Sequence, residues 1–188
     1  NLRQALWRIR KSLENGHAGG SGYLLADDIS IAFNTEQPYW LDAEALAQPV
    51  EPGADTARLA QIVAVYEGEL LPGFYDDWTV LQRERLQAVF ERRMGQLLER
   101  LIADRDWVQT AGWADRWIAL GNTPEAAYRS LMLAHAALGD LAAMNAAYRR
   151  CTETLWHDLG VEPSEQTTAL YEKLRNSQLR LALLGDMS

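Results

Sequence analysis

The feature that most restricts how this chain can fold is a series of helix-period apolar stripes that fills its second half and copies itself at a spacing of 34 residues. Leu86, Val89, Phe90, Leu97, Leu98, Leu101 and Ile102 predict one long helix with a mild interruption at Gly95. Trp107 to Leu120 predicts a second helix, and Tyr128, Leu131, Met132, His135 and Leu138 line a third. Met144, Tyr148, Cys151 and Leu155 mark a fourth, and Leu170, Leu174 and Leu181 a fifth. Start signals agree: Thr123 before Pro124 at the first helical position, Asp140 after Gly139, and Ser164 after Pro163. A shift of 34 residues lays Leu97 on Leu131, Leu98 on Met132, Asp106 on Asp140, Trp113 on Ala147 and Arg116 on Arg150. Each such unit holds two helices and a short turn, and buries its second face only against the next unit. A stacked array with a groove suited to peptide or protein is the expected result.

Ahead of the array stands Tyr66 to Trp78, rich in breakers at Gly68 and Pro72-Gly73 yet carrying Leu70, Leu71, Phe74, Tyr75 and Trp78. That much apolar surface is too great for a free linker, so the segment is expected to be a docked corner whose aromatic residues close one helix onto the next. On this reading Trp78→Ala costs ~3–5 kcal/mol if the ring is fully buried.

The front end differs in charge. The chain carries −8 overall, but residues 1 to 13 hold Arg3, Arg8, Arg10 and Lys11 with no acid, so +4 sits there and −12 on the remainder. Leu2, Leu6, Ile9 and Leu13 form a single apolar stripe, which turns Arg3, Gln4, Arg8 and Lys11 toward the other side and leaves Trp7 off the stripe. A glycine-rich loop from Gly16 to Gly22 follows. Tyr23–Ala26 and Ile29–Phe33 then predict a hairpin through Asp27-Asp28, with Ile29, Ile31 and Phe33 on one face. Asp42 caps a short helix over Ala43 to Ala47, Pro49 and Pro52 bound a loop, and Leu59, Ile62, Val63 and Tyr66 mark a further helix within Asp55 to Glu67.

Catalytic patterns are poor. His17, His135 and His157 are scattered without metal-ligand spacing, and the glycine run lacks the Lys-Ser/Thr of a phosphate loop. Cys151, the single cysteine, sits on an apolar stripe and reads as a small hydrophobe. Trp107, Trp113 and Trp117 on one helix read as packing between helices rather than a pocket. No apolar run reaches a bilayer span and the N-terminus has no secretion signal, so a cytoplasmic protein without cofactor or metal is expected, and no enzyme. The sharpest functional pattern is one of order: basic helix, glycine loop, hairpin, as in the second half of a winged helix-turn-helix, where the helix enters the major groove and the hairpin reaches the backbone. Arginine suits both contacts, to guanine edges and to phosphates.

Residues Asn1 to Glu14 resemble the recognition helix of OmpR-type winged-helix DNA-binding domains, and Tyr23 to Asp27, Ile29 to Asn34 and Tyr39 to Asp42 resemble the wing and exit of that domain. The body resembles the bacterial transcriptional activator domain of antibiotic-regulatory-protein-type activators, through Tyr66-x-Gly-x-Leu-Leu-Pro-Gly73 with Trp78, Tyr128-Arg-Ser-Leu-Met132, Gly139-Asp140, and Leu159-Gly-Val-Glu-Pro-Ser164 with Thr167 and Leu170. The resemblance implies a transcription factor whose tetratricopeptide-like domain supports dimerisation or regulatory contacts. Its earlier winged-helix elements would precede Asn1.

The expected fold is therefore mainly α: tetratricopeptide-like helical repeats over 49–188, behind a partial winged helix over 1–48. Arg3, Gln4, Trp7, Arg8 and Lys11 are the expected DNA contacts, with Arg10 structural or phosphate-facing. Expected partners are duplex DNA for the complete protein, a second copy or other domains of a larger regulator, and RNA polymerase, with no membrane. The alternative is an interaction scaffold in which the basic helix is only a solvated face.

Overall fold

Three of the helices begin at an aspartate, Asp55, Asp106 or Asp140, whose side chain accepts one of the first free backbone N–H groups. The computed structural model describes residues 2–13, 22–27, 29–50, 55–121 and 124–185. Within them run α1 (Leu2–Leu13), β1 (Leu24–Ala26), β2 (Ile31–Phe33), α2 (Asp42–Ala47), α3 (Thr56–Ala64), α4 (Asp77–Ala103), α5 (Trp107–Ala119), α6 (Glu125–Ala137), α7 (Leu141–Leu159) and α8 (Glu165–Gly185). The fold is mainly helical, as the periodicity predicts. His17, Thr123, Pro52 and the glycine loop short of Gly22 lie outside the described residues.

Contacts divide the chain into two units, Asn1–Leu41 and Asp42–Ser188. The division falls ahead of the 48/49 boundary expected from the prolines. The cause is α2, which packs on α3 and α4 and buries Leu46, and beyond whose end the Gln48 carbonyl is held by the Arg93 guanidinium at 2.9 Å.

In the first unit β1 and β2 pair antiparallel, Leu24 with Phe33, Leu25 with Ala32 and Ala26 with Ile31. The turn is organised by Asp27, whose carboxylate accepts from the Ile29 N–H at 2.8 Å, the Ser30 N–H at 2.6 Å and the Ser30 hydroxyl at 3.0 Å. Those bonds hold the Asp27 carboxyl below its usual range, the Ile29 amide first among them. Ile29 is 97% exposed in this turn, which corrects the expectation that it shares a strand face with Ile31 and Phe33. The turn consumes the residue that the alternation would have made the strand's first. Phe33 packs between Tyr23 and Tyr39, at ring separations of 6.0 and 5.2 Å.

In the second unit the 34-residue repeat is visible in the backbone. Helices α4 and α6 end at Ala103 and Ala137, and α5 and α7 begin at Trp107 and Leu141, both offsets matching the sequence shift. Asp106 caps α5 by accepting from the Gln109 N–H at 3.1 Å, and Asp140 caps α7 by accepting from the Ala143 N–H at 2.9 Å. Between the helices the chain turns left-handed at Arg105 (φ 57°) in one copy and Gly139 (φ 78°) in the other. The next amide donates back to Leu101 in the first turn and His135 in the second, each at 2.9 Å, the closure of a Schellman motif. Leu97, Leu98, Leu131 and Met132, paired by the repeat, are all buried.

Two helix expectations change in detail. Gly95 does not interrupt α4, which runs unbroken past it. Pro124 occupies the N-cap of α6, not its first helical position.

The core runs from α2 through α7, with Leu170, Tyr171 and Leu174 of α8 packed against it. Phe90 stacks on Tyr66 at 4.2 Å and meets Trp117 edge-on at 6.3 Å. Of the corner residues it is thus Tyr66 that joins α3 to the array. Trp78 is 56% exposed, which corrects the expected burial of that ring and the large cost assigned to removing it. The corner instead turns at Leu71 (φ 48°) and Gly73 (φ 86°), with its Leu70 carbonyl held by Arg83 at 2.6 Å and its Leu71 carbonyl by the same guanidinium.

Candidate functional site

Two surfaces follow from these elements, one on each unit. On α1 the side chains of Arg3, Gln4, Arg8 and Lys11 are exposed, as is Trp7 at 61%. Lys11 stands one turn beyond Trp7 and lays its ammonium 5.0 Å from the ring centroid, so the indole serves as a platform that positions a charge. Arg10 is half-buried and opens on a shallow hollow of about 420 Å³ beside Leu24, Ala26, Asp27 and Ser30. The helix therefore separates its charges into an outward set and Arg10, which faces the hairpin. Its apolar stripe is only partly covered within the unit: Leu6 is half-buried, while Ile9 and Leu13 are exposed.

The second surface is a cleft of about 360 Å³ where Leu98 and Glu99 of α4, Trp117 of α5, Arg129 of α6 and Gln166 of α8 meet. Its lining is mostly apolar, with the polar side chains of Glu99, Arg129, Ser130 and Gln166. Trp117, read from sequence as packing, is buried and also forms part of the cleft wall.

The cleft keeps its shape through a latch between distant segments. One carboxylate oxygen of Glu125, at the start of α6, accepts from the Ser164 N–H at 3.0 Å, the Ser164 hydroxyl at 2.7 Å and the Thr167 hydroxyl at 2.6 Å. Arg129 donates to the Thr167 oxygen at 3.0 Å. Burial alone pushes the Glu125 carboxyl up, but the Thr167 and Ser164 bonds and the Arg129 charge outweigh it and hold the group below its usual value. Gly160 ends α7 in the left-handed region (φ 67°), which turns the chain so that Ser164 reaches Glu125.

Cys151 is buried, and its thiol is pushed up to about 12 by that burial and by the Glu125 charge, partly offset by Arg129. His157 is exposed against Asp158 at 2.8 Å, and His135 is half-buried on α6. Among the described residues no group of three or more His, Cys, Asp or Glu side chains could hold a metal ion. No helix among them is long and apolar enough to cross a membrane.

Sequence reasoning missed the latch and the arginines that hold carbonyls. Arg116 of α5 donates to Ala64 at 3.0 Å and Tyr66 at 3.2 Å, satisfying the open carbonyl end of α3. A lone arginine on a helix reads as a solvated face, and its sequence gives no distance to a partner some fifty positions away.

Stacked helical hairpins, with a cleft where α4, α5, α6 and α8 meet, define a repeat-type helical domain. Residues 41–175 match the Bacterial transcriptional activator domain, and the chain belongs to that family. No curated protein matches the chain. The family is one of transcription regulators, not of enzymes. The motifs that carried the resemblance have structural work here: Tyr128, Leu131 and Met132 fill the core, while Ser164 and Thr167 close the latch.

Proposed function

We propose that the protein regulates transcription by binding duplex DNA through a winged helix of which the Asn1–Leu41 unit is the C-terminal part. In this reading α1 is the recognition helix and the β1–β2 hairpin is the wing. Arg3, Gln4, Trp7, Arg8 and Lys11 face the major groove, and Arg10 supports the hairpin or a phosphate. The observation that carries the proposal is the outward set on α1, a basic face free of acid, followed by an antiparallel hairpin whose turn Asp27 holds rigid. The helical unit then serves dimerisation, or contacts with other domains of a larger regulator or with RNA polymerase.

The test is duplex binding by the protein extended at its N-terminus through the rest of the winged domain. Arg8→Ala and Lys11→Ala should each weaken binding and flatten its salt dependence by ~1 in log-log slope. Binding indifferent to both substitutions would end the proposal. A second reading, a scaffold that takes a protein segment, is favoured by the Glu99–Arg129–Gln166 cleft. If the extended protein ignores DNA while Arg129→Ala abolishes capture of a partner, that reading replaces the first.

A further inference from the structure

The corner between α3 and α4 leaves in water what a docked corner would hide. Phe74 and Tyr75 are 54% and 82% exposed, and Trp78 and Leu81, three positions apart on the first turns of α4, share its outer side. The neighbouring Thr79 is fully buried, so the helix has one face in the core and this apolar face outside. The three rings alone leave on the order of 400 Å² of apolar surface exposed, the scale at which a patch on a soluble domain marks a contact surface.

This surface is shaped in advance. Leu71 and Gly73 hold positive φ, the Phe74 N–H donates to the Leu71 carbonyl at 3.2 Å, and Arg83 grips both carbonyls of Leu70 and Leu71. A partner therefore meets side chains on a fixed turn, at a small ordering cost. The same stretch of chain, from Glu67 to Arg85, carries the exposed acids Glu67, Asp76, Asp77 and Glu84. The bases of that stretch are Arg83, turned inward onto the carbonyls with Glu69 3.8 Å away, and Arg85. Exposed rings within an acid-rich stretch repel phosphate and anionic lipid, and attract a cation that brings apolar surface with it.

We propose that this corner docks a basic amphipathic segment of a protein partner. The segment's apolar side chains lie on Phe74, Tyr75 and Trp78, and its lysines and arginines meet Glu67, Asp76, Asp77 and Glu84. The proposal does not rest on the DNA-binding reading: none of these residues lies in the Asn1–Leu41 unit.

The probe is a labelled synthetic helix of about fourteen residues, leucine and tryptophan on one face and lysine and arginine on the other. It is titrated against the whole chain by fluorescence anisotropy beside a copy with every base changed to glutamate. The basic peptide should bind at least about tenfold more tightly than the acidic copy. Phe74→Ala and Trp78→Ala should each weaken it about tenfold or more while the melting temperature stays put, since both rings are exposed. Asp76→Asn with Asp77→Asn should weaken it about threefold and reduce its salt dependence. No binding, equal binding of the two peptides, or binding that survives loss of Phe74 and Trp78 would overturn the proposal. So would binding of phosphatidylserine vesicles or duplex DNA that Trp78→Ala removes.

Discussion

The two left-handed turns of the repeat make a reciprocal pair of mutations informative. Arg105 and Gly139 occupy the same place in successive hairpins, and both have positive φ. A side chain there costs roughly 1–2 kcal/mol relative to the right-handed region, whereas glycine loses about 0.5–1 kcal/mol of backbone entropy. Arg105 is exposed, so removing its side chain gives up little packing. Arg105→Gly should stabilise the helical unit by about 0.5–1 kcal/mol, and Gly139→Ala should destabilise it by about the same amount. No atom lies within 4 Å of the position a Gly139 Cβ would take, so the second cost is one of backbone alone. For a unit of this size the two melting temperatures should move about 2–4 °C per kcal/mol, in opposite directions. Thermal and urea unfolding followed by circular dichroism at 222 nm gives both numbers. Shifts of the same sign, or an Arg105→Gly protein that melts earlier, would refute the equivalence of the two turns.

Glu125→Ala should destabilise the domain by about 2–4 kcal/mol, because three charge-assisted bonds from Ser164 and Thr167 lose their acceptor. The folded Glu125 carboxyl is depressed, so its stabilisation is complete above the ordinary value of 4.5 and is lost as pH falls through the folded value; wild type should lose more stability than Glu125→Gln in acid unfolding titrations. Arg116→Met keeps the stem but frees the Ala64 and Tyr66 carbonyls, and should cost about 2 kcal/mol in urea unfolding. Cys151, with its thiol at about 12 and no exposure, should leave a disulfide reagent unreacted at pH 8 until denaturant is added, then release one equivalent.

What the residues made legible is what is local. The spacing of Leu97, Leu98 and Leu101 on one helix, the start signal at Asp140, and the alternation around Leu25 each act within a few positions of chain. The 34-residue shift located the hairpins because equal backbones recur where equal constraints recur. Burial of single aromatic residues was not legible: Tyr66 and Trp78 stand in the same breaker-rich segment, yet one stacks on Phe90 and the other faces water. Composition counts rings without saying which side of α4 receives them. The latch was equally hidden, since Glu125 and Ser164 are 39 positions apart and each alone reads as a helix-start residue. On α1 the outward set followed from the helical period, but the turning of Arg10 toward the hairpin depends on the path between the two elements.

The most direct measurement is the salt dependence of duplex binding by the N-terminally extended protein, read by anisotropy at several ionic strengths. If the basic side chains of α1 supply the phosphate contacts, the log-log slope is about −3 to −4 and drops by about one for Lys11→Ala. A slope near zero, or a slope that Arg8→Ala and Lys11→Ala leave untouched, would contradict DNA binding through this helix.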